Sequence, residues 1–168
     1  KMGLQRSDYV ASEEYIKSMV EVLKEKYKLL MDILQLTGSQ TNAINNEEFE
    51  TLEKLIHDKQ IRINCIEPLD KRFNTIFLEL KTELNIESME QLNNKNIQGI
   101  KALKEATSKV IEIIAEISVI EKQNNEIMLK LMEKSKKEIK NITNGKKALS
   151  AYTPHPLNSP SYYIDKKK

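Results

Sequence analysis

Apolar or small residues recur at Ile16, Val20, Leu23, Tyr27, Leu30, Leu34, Thr37, Thr41 and Ile44, in alternating steps of four and three. That spacing predicts a helix with a narrow seam of coiled-coil type. Ser12 is the expected N-cap, with Glu13 and Glu14 suiting the positive end of the dipole, and Gly38 is expected to be tolerated inside the pattern. Asn45-Asn46 then breaks the chain and offers a second N-cap. A second helix follows, drawn by Phe49, Leu52, Ile56, Ile63, Ile66, Leu69, Phe73, Ile76 and Leu80, with a kink expected near Asn64 to Pro68. The Asn-rich segment Asn85 to Asn96 holds a short helical turn, Ile86 to Leu92.

The third pattern is the longest: Ile100, Leu103, Thr107, Val110, Ile114, Ile117, Asn124, Ile127, Leu131, Ile139 and Ile142, before Asn144-Gly145 supplies a stop. At the helical rise, residues 97–143 span roughly 70 Å, whereas the second helix spans roughly 50 Å. The expectation is an all-α fold, an antiparallel bundle of three long helices over residues 8–144. The third helix would keep company with the other two to about residue 131 and then overhang their turn.

From residue 145 the chain changes character, gathering three of its four prolines and three of its six tyrosines before Lys166-Lys167-Lys168. Residues 145–168 therefore read as an extended tail. It is either a disordered terminus or, with Tyr152, Tyr162, Tyr163 and Ile164 standing out where a solvated linker has no need of them, a short docking motif. One reading lays this tail over the apolar part of the third helix until a partner displaces it.

Composition narrows the class. Aromatic residues are 5% with no Trp, and Gly and Pro number four each, which disfavours sandwiches, barrels and doubly wound sheets. The formal charge of +2 is uneven: residues 1–144 hold 22 Lys/Arg against 24 Asp/Glu, and residues 145–168 hold five Lys against one Asp. A bundle without a basic stripe argues against nucleic acid. No apolar run is long enough to span a bilayer, no signal-peptide pattern opens the chain, and Cys65 is alone, so a cytoplasmic protein without stable membrane insertion is expected.

Catalytic chemistry has no foothold. His57 and His155 are the only histidines, and His57 lies eight positions from Cys65, roughly 12 Å along a helix. There is no HExxH, no paired CxxC, no Gly-rich phosphate loop, and Glu53 and His57 are four apart where carboxylate-bridged di-metal bundles use three. No catalytic residue, metal site or cofactor is assigned.

Two features of the third helix invite a binding role. Asn124 sits on the seam among isoleucines, where it either fixes register or contacts a partner. The run Ile127 to Met132 is apolar nearly all round: either it sits at the centre of the three helices, or one face is kept for a partner, to which Met128 and Met132 offer an adaptable surface. A partner helix would lay its apolar face along Met128, Met132, Ile139 and Ile142.

Leu30 to Gln40 with Ala43-Ile44, then Phe49 to Leu55 and Lys59-Gln60, the Asn124 to Leu131 stretch, and Ala151-Tyr152 through Lys167 together resemble the FlgN-type flagellar export chaperones. The resemblance implies a cytoplasmic helical chaperone. It implies that hook-associated proteins are held before type III export, and that the chaperone docks at the cytosolic domain of the export gate. It places client binding in the third helix and beyond. With no ATP site visible, release would come from competition or transfer at the gate. A coiled-coil spacer that forms a homo-oligomer through the same surface, or a chaperone of the filament or cap protein, stays open as an alternative.

Overall fold

The structure, a computed structural model, describes residues 6–152. Four helices follow one another: α1 (Arg6–Asn45), α2 (Phe49–Leu84), α3 (Met89–Asn93) and α4 (Ile100–Tyr152), with no strand among the described residues. The chain divides into two compact units, residues 1–127 and 128–168.

In the first unit α1 is the most enclosed element. Its expected seam is buried or half-buried throughout, from Ile16 to Ile44. The buried face is wider than that seam, however. Ser12, Met19, Ile33 and Gln40 add one line of buried positions, and Val22 and Ala43 belong to another. A helix packed by two neighbours buries a stripe of at least about 100°, not the narrow line of a two-stranded coiled coil. Ser12 is accordingly no cap: α1 is already helical from Arg6, and Ser12 is fully buried within it.

Long-range pairs fix the chain directions. Lys26 on α1 meets Asp70 on α2 at 2.6 Å, and Lys59 on α2 donates to Gln40 on α1 at 2.7 Å, so these helices run antiparallel. Asn124 on α4 donates to the Thr37 carbonyl at 3.3 Å, while Ile16 lies against Gly99, so α1 and α4 run parallel. The principal core gathers Ile16, Met19, Leu80, Leu92 and Leu103. These side chains are almost completely buried, each worth about 1.5–3 kcal/mol relative to exposure.

On α2 the inward line is Leu52, Leu55, Lys59, Arg62, Ile66, Leu69, Phe73, Ile76 and Leu80, all buried or half-buried. Phe49, Ile56 and Ile63, expected on the seam, are exposed. The hydrophobic pattern misleads here because two inward positions carry the charged Lys59 and Arg62, and the outward isoleucines mimic them. The same phase error occurs once on α4, where Ile113 is buried and Ile114 exposed. Pro68 stands on the exposed side of an uninterrupted α2.

Turn chemistry explains the boundaries. At the end of α1, Glu48 N–H donates to the Ala43 carbonyl (2.8 Å) and Glu47 N–H to that of Ile44 (3.1 Å), the paired closure of a Schellman motif. Glu47 occupies its left-handed position at φ 57°. Glu48 at once becomes the N-cap of α2, without a side-chain cap bond, so the Asn45-Asn46 pair does not cap it. Asn85 closes α2 the same way at φ 49°, with Ile86 N–H reaching the Lys81 carbonyl at 3.1 Å. The short helix forms at Met89–Asn93, with Ser88 accepting from Gln91 N–H at 3.3 Å. In its first turn, Glu90 is held below the usual carboxylate range by a backbone N–H and then by Ser88.

α4 starts at Ile100 and not at residue 97, because Gly99 supplies a φ of +93° that a side chain rarely adopts. A Cβ there would stand 2.9 Å from Ile16 Cγ2. Two turn substitutions should therefore act with opposite sign. Glu47→Gly relieves a left-handed L-residue and should stabilise by about 0.5–1 kcal/mol. Gly99→Ala meets both strain and Ile16 and should destabilise by about 1–3 kcal/mol. Urea midpoints for the two variants check the pair.

Candidate functional site

Near the α1–α2 turn the first unit holds a layer of polar side chains drawn from all three long helices. Lys59 Nζ donates to Gln40 Oε1 at 2.7 Å and pairs with the Glu121 carboxylate. One turn further along α4, Asn124 accepts from Thr41 Oγ1 at 2.8 Å and donates to the Thr37 carbonyl at 3.3 Å. Asn124 is thus a buried polar residue bonded inside its own chain. Gln40 Nε2 is buried with no hydrogen-bond partner, a cost of about 1–3 kcal/mol that the Lys59 contact offsets. Such bonds form at only one alignment of the helices, and therefore set which α4 residues the core uses.

The described part of the second unit, residues 128–152, is helical throughout. Gly145 does not stop it. A Cβ at that position would meet open space, and a mid-helix Gly costs only about 1 kcal/mol. The extended conformation expected from residue 145 is therefore not adopted over 145–152. Continuing the four-and-three spacing through Gly145 gives Met128, Met132, Ser135, Ile139, Ile142, Lys146 and Leu149 on one face. Sequence reading missed Leu149 because it placed the helix end before it. The signal was present in the spacing, interrupted by Ser135 and Lys146.

Met128 and Leu131 are half-buried, and every residue from Met132 to Tyr152 is exposed. Ile139, Ile142 and Leu149 show 64%, 59% and 72% of their surface. Around this stripe the helix is strongly basic, with seven Lys against two Glu between residues 128 and 152. Tyr152, the last described residue, is exposed. Tyr162, Tyr163 and Ile164 lie outside the described residues.

Other surfaces offer little chemistry. A groove of about 370 Å³ between α1 and α4 is lined by Val20, Leu23, Tyr27 and Ala106 together with Lys24, Lys28, Glu105 and Lys109. Cys65 and His57 are exposed on α2. Among the described residues no group of three or more His, Cys, Asp or Glu could hold a metal, and no helix is long and apolar enough to cross a membrane.

The family model described as FlgN protein matches residues 15–157. The chain belongs to the FlgN family. That is a family of flagellar export chaperones and not of enzymes. The FlgN match takes in the polar layer and the whole apolar stripe, and it ends before Tyr162, Tyr163 and Ile164. No curated protein and no solved structure matches the chain.

The polar layer makes a testable distinction. Asn124→Leu leaves Thr41 Oγ1 its second acceptor, the Thr37 carbonyl at 3.2 Å, so stability should change by less than about 1 kcal/mol. Lys59→Met leaves Gln40 buried without any partner and Glu121 without its cation, and should cost about 1–3 kcal/mol. Thermal unfolding of both variants measures the difference.

Proposed function

We propose that this FlgN-family chain holds hook-associated proteins in the cytoplasm before their export by the flagellar type III apparatus. An apolar helix face of the client would lie along Met128, Met132, Ile139, Ile142 and Leu149. The observation that carries this reading is the run of exposed apolar side chains at helical spacing between Met132 and Leu149, where every described residue is open to solvent. Helix-in-groove recognition uses anchors at such spacings, and methionine suits a surface that must accept more than one partner. Covering a client's polymerising helix in this way would keep it from assembling early. Release would follow transfer to the cytosolic domain of the export gate. The tail after Tyr152 is assigned to the same process, as a segment that covers the stripe or joins the client contact.

Ile139→Asp combined with Ile142→Asp tests the reading. These side chains contribute little to the core, so the melting temperature should move by no more than about 2 °C, while capture of a terminal helical fragment of a hook-associated protein should fall at least tenfold. Unfolding of the double variant would return both residues to the core. Equal capture by wild type and variant would move the client site elsewhere, and preferential capture of filament or cap protein would change the client.

A further inference from the structure

The chain carries a second exposed apolar stripe, in the first unit. Phe49, Ile56 and Ile63 recur at seven-residue intervals on α2 and are exposed. Residues 47–58 that frame its first half carry Glu47, Glu48, Glu50, Glu53 and Asp58 against Lys54, all exposed. Only Lys54 offsets this charge, through its contact with Glu50 at 3.0 Å. The helix of the second unit has the opposite character: an apolar stripe from Met132 to Leu149 amid six Lys and two Glu, with no ion pair on those lysines among the described residues. Both stripes have helical spacing, both are open in the single chain, and their charges are complementary.

We propose that the two stripes bind each other between copies: residues 132–149 of one chain dock along Phe49, Ile56 and Ile63 of a second copy. Charge selects this pairing over the obvious alternative. Two basic helices laid stripe to stripe would bring like charges together, whereas the α2 face offers carboxylates beside an apolar line. Self-docking covers apolar surface that would otherwise promote aggregation. It also occupies the stripe assigned above to clients, so client and second copy compete. This competitive consequence rests on the proposed function, and the docking itself does not.

Light scattering on the full chain without client, over about 1–200 μM and at low and high salt, tests the docking. Wild type should pass from monomer to dimer, with the dimer weakened at least tenfold in 1 M salt. Ile56→Asp should remain monomeric at all concentrations, and so should Leu149→Asp. Glu50→Lys with Glu53→Lys, which removes no apolar group, should weaken the dimer at least fivefold while circular dichroism stays unchanged. A chain that is monomeric throughout overturns the proposal. So does a dimer indifferent to Ile56→Asp, or one lost in Ile56→Asp but kept in Leu149→Asp. Client capture by monomeric Ile56→Asp is read separately: if it matches or exceeds wild type both proposals stand, and if wild type and variant both fail to capture client, the chaperone reading fails while the docking result holds.

Discussion

The Lys59 ammonium, held between Gln40 on α1 and Glu121 on α4, is the constraint on which the rest of the architecture depends. Apolar packing is tolerant of sliding, because an isoleucine one turn along fills nearly the same space. A half-buried ammonium is less tolerant: away from its two acceptors it loses both partners while its side chain stays largely covered. Together with Asn124 it aligns three helices at one register. That register decides how α4 is used, with Ile100, Leu103, Val110 and Ile113 given to the core and the residues after Leu131 left open.

This division of one helix into a consumed part and an open part is what the proposed client binding draws on. Folding stability comes from the end of the first unit around Ile16, Leu80 and Leu103. The apolar residues from Met132 to Leu149 add almost nothing to it, and are therefore free to be covered and uncovered without unfolding the chain. The proposed role needs such a surface: apolar enough to hold a helix, and separate enough from the core that release costs only the contact itself.

Much of this was legible from the chain alone. The four-and-three spacing of α1 appears as written, and the exposed run after Leu131 follows from the mismatch in helix lengths. The errors have specific causes. Phe49, Ile56 and Ile63 looked like seam residues because hydrophobic identity was followed across positions where Lys59 and Arg62 point inward, and only tertiary partners reveal that a charge belongs there. Ser12 looked like a cap because its hydroxyl suits one, yet the helix begins earlier and buries it. Gly145 looked like a stop, but Gly weakens a helix without forbidding it, and the misplaced end concealed Leu149. Gly99 went unnoticed since nothing local in the sequence announces Ile16 on its open side.

The central claim is that α4 changes from core to open binding surface near residue 131. Amide hydrogen exchange reports it directly, on full-length protein diluted until monomeric and with a terminal helical fragment of a hook-associated protein added in a parallel sample. The account predicts slow exchange across residues 100–127, fast exchange across 132–152, and slowing confined to 132–149 when the fragment is present. Protection of 132–152 equal to that of the core in the free monomer, or client-induced protection appearing only in α1 and α2, would contradict it.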